Sequence, residues 1–248
     1  MQIKTSLLLL ATLAIATTGA PIDNKRSSDD EAWLETPSGQ SSGSGFGGRT
    51  ALGGKGISYA GNLGTPWGSN IIEISENDAK NYQNVMQFKG DNTDPWTVVF
   101  WNKMGPDGQM DGWYGHSALS FELAPGETKY VAVDEDSRGG FGAAKGNKLP
   151  TDGNGGYACT WGEFDFGSSA NGGWSGFDVS MIQAQNAGEA VQGMQMCEAR
   201  GGQTCSAISQ GGAKMNNAYS NGEAALGGVG GNIPGGPVRL AVTIAYSG

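Results

Sequence analysis

The chain has 248 residues, a formal net charge of −9, 44 glycines, three cysteines and a single histidine. An acidic chain without a basic run is excluded as a charge-driven binder of nucleic acid or anionic lipid. With His116 alone, a multi-histidine zinc centre is excluded, and a histidine-activated nucleophile would have to use that one residue.

Residues 1–20, "MQIKTSLLLLATLAIATTGA", place Lys4 ahead of an apolar run that gives way to small residues. The run is too short to span a bilayer and reads as a secretory signal peptide. Residues 21–26 read as a short propeptide ending in Lys25-Arg26, and residues 27–45, rich in Ser, Gly and acids, as a disordered linker. Residues 46–248 read as one β-rich domain of a secreted protein, extracellular or associated with the cell wall, with no membrane partner. Glycine at this level without a collagen period favours short strands and many turns.

Within the domain, "SENDAKNY" (75–82) predicts a short helix capped by Ser75. "WTVVFWNK" (96–103) sets Trp96, Val98 and Phe100 against Val99 and Trp101, the pattern of a strand covered on both faces. "GPDGQMDG" (105–112) lacks the ligand spacing of a calcium loop and reads as a hairpin loop. "ALSFEL" (118–123) is a strand with Leu119, Phe121 and Leu123 on one face. Pro125-Gly126 suits a type II turn, from which "TKYVAV" returns as a hairpin partner. "NAGEAVQGMQMCEA" (186–199) predicts a second short helix, and "VRLAVTIAY" (238–246) a closing strand. The expected fold is all-β, an antiparallel β-sandwich with short helical insertions.

Cys197 and Cys205 enclose seven residues and predict a local disulfide in an oxidising compartment. Cys159 is either buried and inert or paired between molecules. No motif for a cofactor or a metal stands out.

The candidate site lies in "CTWGEFDF" (159–166) and "FDVSMI" (177–182). As strands, they turn Phe164 and Phe166 inward and Trp161, Glu163 and Asp165 outward, with Asp178 and Ser180 opposite Phe177 and Val179. If the strands pair, Glu163 and Asp178 are neighbours. Outward carboxylates beside flat rings suit sugar binding, with Trp113, Tyr114 and Trp174, set among Gly, Asp, Ser and Asn, as further rings. Two carboxylates on one sheet face equally permit glycoside hydrolysis, by Glu163 with Asp178 or Asp165, or only a solvated face.

Seven blocks, among them "GFGGRT" (45–50), "DPWTVVFWNKMGPDG" (94–108), "CTWGEFDF" and "GWSGFDVS" (173–180), resemble the secreted fungal Asp f 4-like allergen family. The resemblance runs from about Gly45 to Tyr246 and implies a fungal extracellular or cell-wall protein recognised by host IgE. Family members carry a Cys just before "GFGGRT", where this chain has serines; if that Cys was the partner of Cys159, a bridge is lost here. A more distant resemblance is to thaumatin-like proteins. Their "AEF…DFYDVSLVDGFN" order is similar to "GEF…GFDVSMIQAQN" here, and it implies a thaumatin-like β-sandwich with an acidic cleft directed at β-glucan. Glu163 and Asp178 fall on cleft acids, Gln183 replaces the next acid, and Arg138 is the counterpart offered for the cleft arginine. The many disulfides of that family are absent. The leading expectation is a non-catalytic binder of cell-wall β-glucan; the alternative is a β-glucan hydrolase.

Overall fold

The computed structural model describes residues 32–38, 44–50, 53–54 and 56–248. The expected signal peptide and propeptide lie outside these residues. Two sheets are built from β1 (Ile71–Ile74), β2 (Asn84–Gly90), β3 (Trp96–Asn102), β4 (Leu119–Leu123), β5 (Lys129–Val133), β6 (Ser137–Lys145), β7 (Trp161–Ser168), β8 (Trp174–Ser180), β9 (Met194–Glu198), β10 (Cys205–Ile208), β11 (Met215–Asn216), β12 (Gly231–Ile233) and β13 (Val238–Ile244). A helix α1 (Ile182–Ala187) follows β8. One sheet runs β1-β5-β2-β13-β9-β10-β11 and the other β12-β8-β7-β6-β3-β4. The sandwich is all-β, as expected, and its pairings are antiparallel except for β2 with β13, which is parallel.

Alternation in the strands places one face of each sheet in a shared core. Phe88 of β2 inserts edge-on among Phe100, Phe121 and Phe141 of the opposite sheet, with ring centroids 5.0–5.6 Å apart. Edge-to-face contacts of this kind add to the area term in holding the sheets together. The two apolar faces of "WTVVFWNK" are resolved: Val98 and Phe100 enter this core, while Val99 and Trp101 join a second apolar cluster on the outer face of β3, β6 and β7.

Three expectations are corrected. The Pro125-Gly126 turn forms, with Gly126 at φ 75° and Glu127 N–H donating to Ala124, but β4 and β5 do not pair. They belong to opposite sheets, and β5 is taken between β1 and β2. The turn carries the chain over the core, so that Leu123 and Val131 meet it from opposite sides. The helix expected over 186–199 is also absent. Gly188, at φ 70°, ends α1, and Met194 and Met196 alternate inward as strand β9. Glycines at 188 and 193 weaken a helix, and two apolar residues spaced by two fit a strand. The Ser75 cap is present, over a 3-10 turn Glu76–Asn81.

The third correction concerns part of the linker. Trp33, within residues 27–45, is buried at 3% exposure against Tyr130, Val85 and Ala132, on the outer face of the seven-stranded sheet. What fixes it there is Arg239. On β13, Arg239 faces away from Val238 and Leu240, is 1% exposed, and forms no ion pair with a carboxylate among the described residues. Its guanidinium instead donates to six carbonyls: Trp33 (2.7 Å), Glu35, Ala79 (3.0 Å), Tyr82 (3.0 Å), Gln83 (2.8 Å) and Val238 (2.8 Å). Burial, with Arg200 nearby, lowers its pKa to about 10.

Cys197 and Cys205 are bridged across β9 and β10, where they are register partners with Cα atoms 4.1 Å apart. A loop this short should contribute about 2.5 kcal/mol through the unfolded chain. The double variant Cys197→Ser/Cys205→Ser should therefore melt roughly 5–10 °C lower by calorimetry. An unchanged melting point would mean that the β9–β10 ladder already holds the loop. Cys159 is fully buried against Leu149, Tyr157 and Trp161, and burial pushes its thiol pKa far up, so it is an inert core residue and does not reach another molecule.

Candidate functional site

The outer face of the six-stranded sheet carries three rungs across four strands, β3, β6, β7 and β8. The first is Val99, Gly142, Trp161 and Ser180; the second Trp101, Gly140, Glu163 and Asp178. The third begins at Lys103, just past β3, and continues through Arg138, Asp165 and Gly176. The register thus places Glu163 directly opposite Asp178, as the alternation suggested, and brings Arg138 and Asp165 beside them.

Glycine on β6 shapes this face. A Cβ at Gly140 would sit 3.1 Å from the Trp101 indole, and one at Gly142 would meet the Cys159 sulfur at 2.5 Å. The bare backbone lets Trp101 lie across β6 and reach Trp161, with ring centroids 5.2 Å apart. Trp113 extends the row from Trp161 (5.8 Å) to Tyr114 (5.5 Å).

The acids are not surface groups. Asp165 and Asp178 are 2% and 4% exposed, while Glu163 and Lys103 are half-buried. Burial raises the pKa of Glu163; its hydrogen bond with Asp178 and the nearby Lys103 charge oppose the rise. Asp178 is pushed well above the carboxylate range by burial, then by the Glu163 charge and the same hydrogen bond. Two carboxyls so placed do not ionise independently, and the pair gives up its second proton above the usual carboxylate range. Asp165 is raised by burial against the pull of Arg138, whose guanidinium lies 3.0 Å away. That ion pair is not aligned as a hydrogen bond, and both Asp165 oxygens and Asp178 Oδ1 are buried without a hydrogen-bond partner among the described residues. Lys103 is lowered to about 8 by burial and by Arg138, against the pull of Asp165 and Glu163. The residues 56–60 close one side: Lys103 donates to the Ile57 carbonyl, and Arg138 lies over the Tyr59 ring at 5.6 Å. Tyr219, its pKa raised chiefly by burial, closes another.

Other expected site residues fall outside the cluster or enter it differently. Trp161 is on the right face but only 8% exposed, with its indole N–H donating to Tyr157, so it offers no free ring. Trp113 and Tyr114 are half-buried and nearer the mouth. Trp174 is 40% exposed at the start of β8, four residues and so about 13 Å along the strand from Asp178. Gln183 lies on the first turn of α1, off the sheet. Sequence reading missed Lys103 and the glycines of β6. The signal was present in "SRGGFGAAK", where small residues alternate with Phe141 and Ala143 as a strand with one bare face.

A two-sheet all-β sandwich with a buried, proton-sharing acid pair on one outer face defines the type of domain. Residues 69–244 match the model of the Allergen Asp f 4-like domain, and the chain belongs to that family. It is 58% identical over 215 residues to Allergen Asp f 4 of Aspergillus fumigatus, an alignment covering 86% of this chain and 66% of that relative, so the chain spans just under two thirds of its length. Among solved structures, the protein elicitor MoHrip2 from Magnaporthe oryzae superposes with a TM-score of 0.41 at 12% identity, covering 66% of this chain and 99% of that one.

Proposed function

We propose that this allergen homologue is a secreted, non-catalytic carbohydrate-binding protein of the fungal cell surface, directed at β-glucan and holding its ligand at the Glu163–Asp178 face. The observation that carries this reading is the half-buried Glu163 carboxylate on the outer sheet face, one rung from Trp161 of the aromatic row, with Asp178 as its direct strand partner. Rings cover the apolar face of a sugar, and charged acceptors and donors bond its hydroxyls. The likeness of Glu163 and Asp178 to the acids of a thaumatin-like cleft agrees with this. As a homologue of an allergen, the protein is also proposed as a target of host IgE.

Hydrolysis is the weaker reading. A shared proton does keep one acid protonated, as a hydrolase requires. However, glycosidases hold their two carboxyls about 5–9.5 Å apart around the scissile bond. Glu163 and Asp178 are instead direct cross-strand partners, a placement that sets their Cβ atoms about 4.5–5.5 Å apart and turns the carboxyls toward each other rather than around a glycosidic oxygen.

The test is pull-down on a panel of insoluble β-glucans with a reducing-sugar assay on the same samples. Retention without sugar release is expected, and Glu163→Gln should weaken retention roughly tenfold, about 1.4 kcal/mol. A parent protein that no glucan retains, or one that releases sugar, overturns the reading.

A further inference from the structure

We propose that the outer edge of β1 docks a peptide: an extended segment of a partner protein, with apolar and basic residues in alternation, adds to it as a further strand in the cleft lined by Ile72, Glu73, Ile74 and Tyr82. This goes beyond glucan binding, lies on the other sheet and does not depend on that reading.

β1 ends the seven-stranded sheet and pairs with β5. Asp134 N–H donates to the C=O of Asn70, one position before β1, so residues 70, 72 and 74 are the ones that exchange bonds with β5. Residues 71 and 73 therefore turn their N–H and C=O away from the sheet. Ile71 N–H is taken up by Gly68 C=O at 3.1 Å, while Glu73 N–H and C=O have no partner among the described residues. The chain begins to cover this edge and then leaves it. Gly47 N–H donates to Ser69 C=O at 3.1 Å. Beyond Gly45, at φ 112°, the Tyr82 hydroxyl donates to Ser44 C=O at 2.5 Å, and Phe46 packs edge-on against the Tyr82 ring. Between Ser44 and β1 lies a cleft of about 650 Å³.

The walls of the cleft define its occupant. Consecutive residues 72–75 line one side, so the edge of the strand, not one of its faces, looks into it. Ile72 and Ile74 are partly buried against the cluster of Tyr82, Tyr130 and Ala132, while Glu73 points the other way and is exposed. An added strand, with its period of two, sets apolar side chains beside the isoleucines and the residue between them beside Glu73. Both charged residues that line the cleft, Glu73 and Asp78, are acidic. Lys129 answers Glu73 at 2.7 Å but is shared with Glu127 at 3.5 Å. The middle residue of the partner is therefore Lys or Arg. On an open sheet edge the backbone bonds supply affinity and the alternate side chains supply selectivity. A second copy of this chain fits less well. Antiparallel pairing of two β1 strands, centred on the free Glu73 groups, sets Glu73 against Glu73, and like charges directly opposite are unfavourable.

The test adds the end-capped peptide Ser-Val-Lys-Val-Ser to the whole folded protein and follows amide exchange with solvent by NMR, residue by residue. In the protein alone, Glu73 N–H should exchange fast, while Ile72 and Ile74, bonded to β5, are protected. Peptide at millimolar concentration should slow exchange at Glu73 about tenfold or more and leave Ile72 and Ile74 nearly unchanged. Glutamate in place of the peptide's lysine, or Glu73→Lys in the protein, should each weaken binding about tenfold, and the two changes together should restore it. The same peptide with every amide N-methylated keeps its side chains and charge but has no N–H for Glu73 C=O, and it should leave Glu73 unprotected. No slowing at Glu73 with the parent peptide overturns the proposal, and so does equal protection by the N-methylated one. Equal binding of the lysine and glutamate peptides overturns the basic partner. Glu73 already protected in the protein alone overturns the open edge: a doubled mass in solution then assigns it to a second copy, and a monomer mass to the chain itself.

Discussion

Replacing Arg239 by methionine should lower the melting temperature by roughly 10 °C or more. The substitution keeps much of the side-chain volume but removes every donor. Five carbonyls from two separate segments, Trp33 and Glu35 in one and Ala79, Tyr82 and Gln83 in the other, then lose their charged partner, together with that of Val238. Loss of a buried, fully bonded charge costs on the order of 3–5 kcal/mol, since its partners stay desolvated and unpaired. For a domain of this size, each kcal/mol is about 2–4 °C. Deleting residues 1–36 should reproduce a large part of the loss, because it removes Trp33 and two of the carbonyls. The two changes together should cost less than their sum, because they break one network. Calorimetry on the three variants reads this. A methionine variant melting within ~2 °C of the parent would show that water replaces the guanidinium and that the N-terminal segment is held by Trp33 alone.

The second large effect is on the pH dependence of stability, through the buried acid pair. Glu163 and Asp178 have raised pKa values in the folded chain, so the folded state holds more protons than the unfolded one. Stability from this pair is therefore full below the unfolded carboxyl range, near pH 4, and falls as pH rises from there toward the folded value of Asp178. Asp165 acts in the same direction. Lys103 acts oppositely and in another window: lowered to about 8, it favours the folded state as pH climbs from 8 toward its unfolded value. Asp178→Asn keeps the shape and a donor to Glu163 while removing the titration. Relative to the parent, the variant should gain at least about 1 kcal/mol between pH 4.5 and pH 7.5, since each unit of raised pKa is worth about 1.4 kcal/mol. Urea unfolding at the two pH values measures it. Parallel shifts of parent and variant between those pH values would mean that Asp178 is ionised in the native state, and the shared proton would be lost with it. Mutation of a solvated face would have left both curves unchanged, so the experiment separates a buried pair from a merely polar surface.

The sequence by itself determined the parts of this protein that follow from local period and local chemistry. Alternation in "WTVVFWNK", "CTWGEFDF" and "VRLAVTIAY" made strands and chose which residues face the core, because side chains on a strand point to opposite faces in turn. It thereby put Glu163 and Asp165 opposite Phe164 and Phe166. The short spacing of Cys197 and Cys205 was enough for the bridge, and Ser75 for its cap. What the tertiary structure decided is which strands are neighbours and how deep each face lies. Nothing in "APGETKYVAV" distinguishes a hairpin return from a crossing to the second sheet, since the same turn serves both; the choice lay with β1 and β2, which flank β5. The run "MQMCEA" became a strand because β13 and β10 were there to pair with it. Arg239 reads as a polar face until two distant segments bring their carbonyls to it, and Trp33 reads as linker until that happens. The acid pair shows the same division. Register made Glu163 and Asp178 partners, which alternation allowed. Their burial came from Trp101 lying over Gly140, from Lys103 and from the segments carrying Ile57 and Tyr219. That burial, which no local pattern encodes, turns two carboxylates on a sheet face into a pair that shares a proton.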